Sequence, residues 1–145
     1  MNIACLHKDA VKTALYDVGI MTDRSYEIFK TFVEHQLANQ VDLIVEATMH
    51  GEDAVAVLET WRDRYDLDLT CVICEVDRDV RRRRIETRAR HVAHAAADRQ
   101  LLDLEMTMDY SKLPGRRIAV ITDRTPEASA ALVLDQMTSQ TSPEP

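Results

Sequence analysis

The sequence predicts a three-layer α/β fold built on a sheet of mainly parallel strands. Four short apolar runs alternate with segments in which apolar residues recur at helical spacing, as expected for strands separated by crossover helices. The runs are β-branched and uninterrupted, which is typical of strands buried on both faces. The clearest of them is Leu-Thr-Cys-Val-Ile-Cys at residues 69–74.

Length, charge and hydropathy limit the classes of protein to consider. The 145 residues suit one compact domain, predicted over 1–137, with a disordered Ser-, Thr- and Pro-rich tail at 138–145. A net charge of −7 argues against a nucleic-acid partner. No apolar run approaches the roughly 20 residues that span a bilayer, and no signal-peptide pattern is seen. We therefore expect a cytoplasmic protein without a membrane partner.

The first half of the chain predicts two strands and three helices. In order, they are a strand at 3–6, a helix from 9 to 18, a helix from about 22 to 39, a strand at 41–45 and a helix opening at 51. Asp9 is the expected N-cap of the first helix, and Gly19 is placed to end it. In the third helix Ala54, Leu58, Trp61 and Tyr65 form one apolar stripe, which predicts a core face.

The second half predicts two further strands and their helices. In order, they are the strand at 69–74, an arginine-rich helix capped by Asp77 or Asp79 with a small-residue stripe reaching 96, a helix over 98–110, a strand at 117–122 and a helix from 125 to about 137. The arginine-rich region spans about 79–112. Thr125 and Pro126 match the N-cap and first position of the last helix.

Four consecutive arginines, residues 81–84, form the strongest charge feature. They cover most of a helix circumference, so some are expected to face the protein body. They are also expected near the helix N-terminus, where the macrodipole disfavours cations. Arg84 and Arg88 are four apart and should point together as a guanidinium pair suited to phosphate oxygens. The alternative is a solvated helix whose charges pair with neighbouring carboxylates.

Glu46 follows the predicted strand at 41–45. Open α/β sheets bind ligands at the carboxyl ends of their strands, which makes Glu46 a candidate site residue. The alternative is a solvated strand end. For Asp9 the capping role does not exclude a functional one.

Two further patterns could indicate metal or redox chemistry. Cys71 and Cys74 form a C-x-x-C, but residues three apart in a strand point to opposite faces, so we expect core thiols. His91 and His94 could share a helix face, yet no further ligand cluster accompanies them in the sequence. No metal site is predicted.

The order of these pieces resembles the P-loop kinases of small molecules, in the branch of AAA-family ATPases and predicted kinases near zeta toxins and chloramphenicol phosphotransferases. The resemblance covers residue 3 to about 137. The matching pieces are Lys-Asp-Ala-Val at 8–11, Leu-Ile-Val-Glu-Ala-Thr at 43–48, Arg-x-x-x-Arg at 84–88, Arg-His-Val-Ala-His at 90–94, and Ile-Thr-Asp at 121–123 before Pro126.

The resemblance implies roles for particular residues in an ATP- and Mg²⁺-dependent phosphoryl transfer. Asp9 would bind the acceptor hydroxyl and act as general base, and Glu46 would line the acceptor site or help to hold the magnesium shell. The lid arginines that neutralise the transferred phosphoryl group would be Arg84, Arg88 and Arg90. Near the adenine would lie Thr125 and Pro126. The implied partners are a nucleotide and a small-molecule phosphoryl acceptor of unknown identity.

The chain departs from this family in one respect. The phosphate-binding motif G-x-x-x-x-G-K-[ST] does not occur in the 145 residues, which contain three glycines. Its strand would be central, between the strands at 43 and 69, and would lie in about 25–35 residues before Met1. We expect the chain alone to show no kinase activity and to be marginally stable or self-associating through unpaired strand edges.

Three hypotheses are therefore in competition. The first is an ATP-dependent small-molecule kinase, or the C-terminal greater part of one. The second is a catalytically inactive nucleotide- or anion-binding α/β module that acts through a partner. The third is a metal- or redox-active protein that uses the paired cysteines and histidines described above.

Overall fold

A computed structural model describes residues 3–48, 51–89, 91–94 and 109–139 of the chain. In these ranges the elements are β1 (Ala4–His7), α1 (Lys8–Asp17), α2 (Ser25–Ala38), β2 (Leu43–Glu46), α3 (Gly51–Tyr65), β3 (Thr70–Glu75), α4 (Arg78–Thr87), β4 (Arg116–Ile121) and α5 (Pro126–Ser139), with 3₁₀ turns at Val92–His94 and Tyr110–Lys112. The predicted α/β class with parallel strands is confirmed. None of the helices in the described ranges has the length and apolarity needed to cross a membrane.

The chain divides into two compact units, and the single domain predicted over 1–137 stays a prediction. Unit 1 takes the described residues up to Leu67 together with those of 89–94, and unit 2 takes Asp68–Arg88 and the described residues from Asp109 onward. Unit 1 contains β1, β2 and the first three helices. Unit 2 contains β3, β4, α4 and α5. Each unit has its own pair of parallel strands.

In unit 1, β1 and β2 pair in parallel with Ala4 opposite Leu43 and His7 opposite Glu46. The core lies among the helices. Its buried side chains are Phe29 and Val33 of α2 and Ala54, Leu58 and Trp61 of α3. The predicted stripe of α3 is thus a core face, except that Tyr65 at its end is half-buried. The indole N–H of Trp61 donates to Glu34 Oε1 at 3.1 Å, which satisfies the one polar atom of that ring.

The two ends of α1 differ in how well the sequence predicted them. The prediction that Asp9 caps the helix is wrong: His7 occupies the N-cap position without a side-chain capping bond, and Asp9 lies in the first turn. The reason is that β1 runs directly into α1, which leaves no turn residue between them. At the other end the prediction is confirmed, because Gly19 has φ +78° and Ile20 N donates to Leu15 O.

In unit 2, β3 and β4 pair in parallel with Thr70 opposite Arg116 and Glu75 opposite Ile121. The open choice between two capping residues for α4 is resolved, because the Asp77 carboxylate accepts from the amides of Asp79 and Val80 at 2.9 and 3.2 Å.

The start of α5 follows the sequence prediction. Thr125 Oγ1 accepts from Ala128 N at 3.3 Å, and Pro126 is the first helical residue. This helix continues to Ser139, two residues into the segment expected to be disordered, and residues 140–145 lie outside the described ranges. In unit 2, α5 packs against β4.

The strands are not buried on both faces, and that prediction is wrong. In β3, Ile73 is 8% exposed whereas its neighbour Val72 is 45% exposed, and in β2 Ile44 is 54% exposed. Alternate residues of a strand point to opposite faces, so this alternation indicates sheets packed on one face. One consequence concerns the expected core thiols: Cys71 is half-buried, but Cys74 is exposed.

The strand order is β1-β2 in one sheet and β3-β4 in the other. Among the described residues no ladder joins β2 to β3. The sequence analysis predicted a further strand between the strands at 43 and 69. The further strand itself stays a prediction.

Gly115 allows a close approach between the start of β4 and the residue before β3. Its φ is +76°, and a Cβ atom there would lie 3.0 Å from Leu69 Cβ and still closer to the Leu69 carbonyl. We expect Gly115→Ala to lower the free energy of unfolding by more than about 2 kcal/mol, because left-handed strain adds to a backbone clash. Urea unfolding followed by circular dichroism measures this loss.

The matched control is Gly19→Ala, because Gly19 has a similar φ of +78° but nothing within 4 Å of its added Cβ. It should lose only the strain, on the order of 1 kcal/mol. Equal losses at the two positions would show that the contact with Leu69 does not restrict Gly115.

Candidate functional site

Polar side chains gather where β1 and β2 end. His7 is the last residue of β1 and Glu46 the last of β2, and the register places them side by side, with 3.5 Å between His7 Nδ1 and Glu46 Oε2. Asp9 follows in the first turn of α1. The carboxyl ends of parallel strands are where α/β sheets bind ligands. These three residues, His7, Asp9 and Glu46, form what we term the unit 1 polar edge.

Asp9 lies near two basic side chains of the same unit, Lys8 and His94. Its Oδ1 lies 3.6 Å from Lys8 Nζ and 3.8 Å from Nδ1 of His94. His94 is only 5% exposed, and its Nε2 lies 3.0 Å from Thr13 Oγ1. The buried imidazole therefore connects a hydroxyl and a carboxylate of the same helix. Such a chain of polar contacts restricts the orientation of each member.

The two histidines of the sequence analysis do not approach a common ion. His91 Nε2 lies 3.0 Å from Asp17 Oδ1, and its ring meets Tyr16 edge-on at 5.2 Å between centroids, whereas His94 reaches Asp9. In the ranges that the structure describes, no three His, Cys, Asp or Glu residues are grouped as metal ligands. The two histidines instead hold residues 91–94 against α1.

An open cavity of about 430 Å³ lies in unit 1 between α1, the loop before α2 and the turn at Val92. Lys12, Asp23 and Ser25 provide its polar lining, and Leu15 and Ile20 part of its apolar lining. Its volume is in the range of small-molecule sites. Opposite charges beside apolar groups suit a ligand with both polar and apolar parts.

In unit 2 the ends of β3 and β4 are joined by hydrogen bonds. Thr122, directly after β4, donates to the Glu75 carbonyl from its amide at 2.7 Å and from its hydroxyl at 3.0 Å. Arg84 of α4 donates through Nη2 to the Thr122 carbonyl at 2.6 Å. Its guanidinium therefore lies at the carboxyl end of β4, on the ligand-binding side of the sheet.

The arginine helix is shorter than predicted. It ends at Thr87 rather than near residue 96, and Arg84 lies in its last turn. There the macrodipole favours a cation, so the expectation that Arg84 sits near the N-terminus is wrong. Arg81 is half-buried, and Arg82, Arg83 and Arg84 are exposed.

The pairing of Arg84 with Arg88 stays a prediction. Arg88 is the C-cap residue, and its amide still donates to the Arg84 carbonyl at 3.2 Å, so its Cα keeps the helical position one turn from Arg84. Arg90 lies outside the described residues, as does most of the predicted helix at 98–110. Thr125 and Pro126 begin α5, and their implied position near an adenine is not tested.

The sequence analysis missed three residues of unit 1. His7 could have been found, because it ends a predicted strand directly before Lys8 and Asp9, where the argument used for Glu46 applies equally. Thr13 and His94 lie 81 residues apart in sequence, and no local pattern indicates that they meet. In the sequence, His94 stood out only because it lies three residues after His91, as a possible metal-binding pair.

Polar side chains at the carboxyl ends of parallel strands stand where α/β proteins bind their ligands. The sequence profile of the AAA domain family matches residues 3–110, so the chain belongs to the AAA domain family. A solved structure from Chloroflexus aurantiacus, described as a "putative kinase", is similar over 96% of this chain and 84% of that one, with a TM-score of 0.67 and 21% identity. A search of curated proteins found no match.

These similarities confirm that the chain is a P-loop kinase-like protein. At 21% identity the solved structure shows the shared fold alone. Family membership supports, at the level of the class, a kinase- or NTPase-like function and the use of a nucleotide.

We predict that the contact between Thr13 and His94 contributes to stability. Thr13→Val removes the hydroxyl 3.0 Å from the buried imidazole, which should cost about 1–3 kcal/mol of unfolding free energy. The control is Thr60→Val, because the exposed Thr60 hydroxyl donates to a carbonyl of its own helix, that of Ala56, and its loss should stay within about 0.5 kcal/mol. If both variants unfold at the same urea concentration, the contact is not stabilising.

Proposed function

We propose that the chain is an ATP-dependent phosphotransferase domain that acts on a small-molecule acceptor in the cytoplasm. The observation that carries the proposal is the unit 1 polar edge, where the carboxylates of Asp9 and Glu46 belong to one end of a parallel strand pair. In a family whose members are kinase-like, carboxylates at that edge suit the binding and deprotonation of a hydroxyl.

On the acceptor side, Asp9 is the proposed general base. An ionised carboxylate accepts a hydrogen bond from the acceptor hydroxyl and then its proton as the oxygen attacks phosphorus. The contact with His94 limits the rotation of the Asp9 side chain. Glu46 would orient the acceptor. Its exposed carboxylate is also a ligand type that Mg²⁺ accepts, directly or through water, so it fits a role in the magnesium shell.

On the nucleotide side, the proposed groups are the guanidinium groups of Arg84 and Arg88, with Arg90 as a third. Phosphoryl transfer depends mainly on positioning and on the neutralisation of charge on the phosphoryl oxygens. Arg84 is already oriented by its bond to the Thr122 carbonyl. Thr125 and Pro126 stand at the start of α5, and we propose from the resemblance to P-loop kinases that they approach the adenine.

One observation favours the second candidate function, a nucleotide- or anion-binding module without catalysis. The 145 residues contain no G-x-x-x-x-G-K-[ST] segment, whose amides and lysine normally hold the phosphates. Binding and turnover are therefore measured separately.

We also infer that the edges of the two-stranded sheets favour self-association at high concentration, which sedimentation velocity measures.

The arginine pair should bind polyphosphate. We expect Arg84→Glu with Arg88→Glu to weaken the binding of pyrophosphate or ATP at least about tenfold, because charge-assisted hydrogen bonds are lost and repulsion is added. Isothermal titration measures the change. The control is Arg82→Glu with Arg83→Glu, which changes the net charge equally on exposed positions of the same helix. Equal affinity in all three proteins would identify the arginines as a solvated face.

Asp9 should be needed for transfer and little needed for folding. Asp9→Asn keeps the shape of the side chain but removes the base, and we expect phosphate transfer to fall about 10²-fold or more. The assay uses a polypeptide that turns over ATP, with a phosphate-binding loop ahead of residue 3. Asp17→Asn is the control, because Asp17 lies on the same helix and also contacts a histidine. If the Asp9→Asn variant transfers phosphate as fast as the parent protein, the role of Asp9 is purely structural.

A further inference from the structure

The cavity of unit 1 has no part in the proposed phosphoryl transfer. It measures about 430 Å³ and lies between α1, the loop before α2 and the turn at Val92. None of the described residues that line it belongs to the unit 1 polar edge or to the proposed nucleotide side. Its volume is nevertheless within the range of pockets that hold small molecules. The groups that line it indicate which kind of molecule it fits.

The end of α1 builds the apolar wall of the cavity. Gly19 has φ +78°, Gly19 N donates to Tyr16 O at 2.9 Å, and Ile20 N donates to Leu15 O at 2.9 Å. This pair of bonds is a Schellman motif, which folds the residue after the glycine back beside the last turn of the helix. The side chains of Leu15, Tyr16 and Ile20 therefore line one cavity. The Tyr16 ring also meets His91 edge-on, so this part of the wall is oriented before a ligand enters.

Three apolar side chains of the cavity are open to water. Ile20, Met21 and Val92 line it, and each is at least half exposed. Covering such surface with the apolar part of a ligand is favourable. The unbranched thioether chain of Met21 can adapt its shape to what it covers. These residues suit an aromatic or branched apolar group.

A buried hydroxyl also lines the cavity. Ser25, the first residue of α2, is 9% exposed. Within the described parts of the chain its hydroxyl has no hydrogen-bond partner. Buried polar groups in folded proteins are as a rule hydrogen-bonded. A polar group of a bound ligand would supply the partner that Ser25 lacks.

Two opposite charges complete the lining. Lys12 lies on α1 and Asp23 in the loop before α2, and in the described ranges neither has a salt-bridge partner. Lys30 of the same unit, by contrast, pairs with Glu27 at 2.9 Å. A ligand with one charge would pair with one of the two cavity groups and be repelled by the other. A ligand that carries both charges can pair with each of them.

We propose that this cavity is a binding site for a small amphipathic zwitterion of the aromatic amino acid type. The ligand carboxylate pairs with Lys12, and the ligand ammonium pairs with Asp23. The Ser25 hydroxyl hydrogen-bonds to the charged end of the ligand, and the apolar body covers the wall around Ile20. Binding here does not depend on the proposed function, because it uses none of the residues assigned to phosphoryl transfer.

The experiment compares three probes that share one phenyl body. Phenylalanine carries both charges, phenethylamine lacks the carboxylate, and hydrocinnamate lacks the ammonium. Each is titrated without nucleotide into the nitrogen-15-labelled full chain, and amide shifts in nuclear magnetic resonance spectra give the site and the Kd. We expect phenylalanine to shift amides of residues 15–25 with a millimolar Kd, and each analogue to bind about threefold or more weakly.

Two charge variants test the pairing. Lys12→Met should make phenylalanine and phenethylamine bind equally, because the carboxylate has lost its partner. Asp23→Asn should do the same for phenylalanine and hydrocinnamate. The controls are Lys30→Met and Asp42→Asn, which remove the same charges outside the cavity lining and should keep the preference for phenylalanine. The dispersion of the same spectra reports whether each variant is folded.

Ser25→Ala tests the buried hydroxyl. It should weaken phenylalanine binding about threefold or more, and the urea midpoint should not fall, because the hydroxyl has no partner in the described protein to lose. Three results would overturn the proposal: no shift at residues 15–25 at about 20 mM phenylalanine, equal affinity for the three probes, or a preference for phenylalanine that survives both Lys12→Met and Asp23→Asn. None of these results bears on phosphoryl transfer, which is assayed separately.

Discussion

Parallel pairing of strands is the constraint on which both units depend. Two parallel strands cannot be joined by a tight turn, so the chain must cross over through helical segments before it pairs again. In unit 1 the crossover between β1 and β2 consists of α1 and α2. The same pairing brings both carboxyl ends to one edge, and the side chains that follow the strands meet there without any local signal. The positions of His7 and Glu46 are consequences of that pairing.

Features that depend on local chemistry could be predicted from the sequence. The stripe of α3, the glycine that ends α1 and the cap at Asp77 each rest on residues within one or two turns of each other. Burial could not be predicted in the same way, because a β-branched run such as 69–74 has the same composition whether one or both faces are covered. The predicted length of α4 was wrong for a related reason. The small residues after Thr87 permit a helix but do not require one.

The places of the candidate site residues in the fold were predicted to a similar degree, and their roles stay predictions. Glu46 was located from its place after a strand, an argument that needs only the order of elements. Asp9 was found as well, but with the wrong local role, because β1 passes into α1 without a capping residue. Asp9 also contacts His94, which lies far along the chain. The contact forms because the 3₁₀ turn at Val92–His94 packs against α1. Long-range contacts of this kind leave no periodic pattern in a sequence.

The single tryptophan of the chain makes the two units optically distinct. Trp61 is 4% exposed in the core of unit 1, and its N–H is bonded to Glu34, whereas unit 2 has no indole. Intrinsic fluorescence excited at the red edge of indole absorption therefore originates in unit 1 alone, while far-ultraviolet ellipticity sums over both. Compared on one sample, the two signals distinguish concerted melting of the units from sequential melting without any added label.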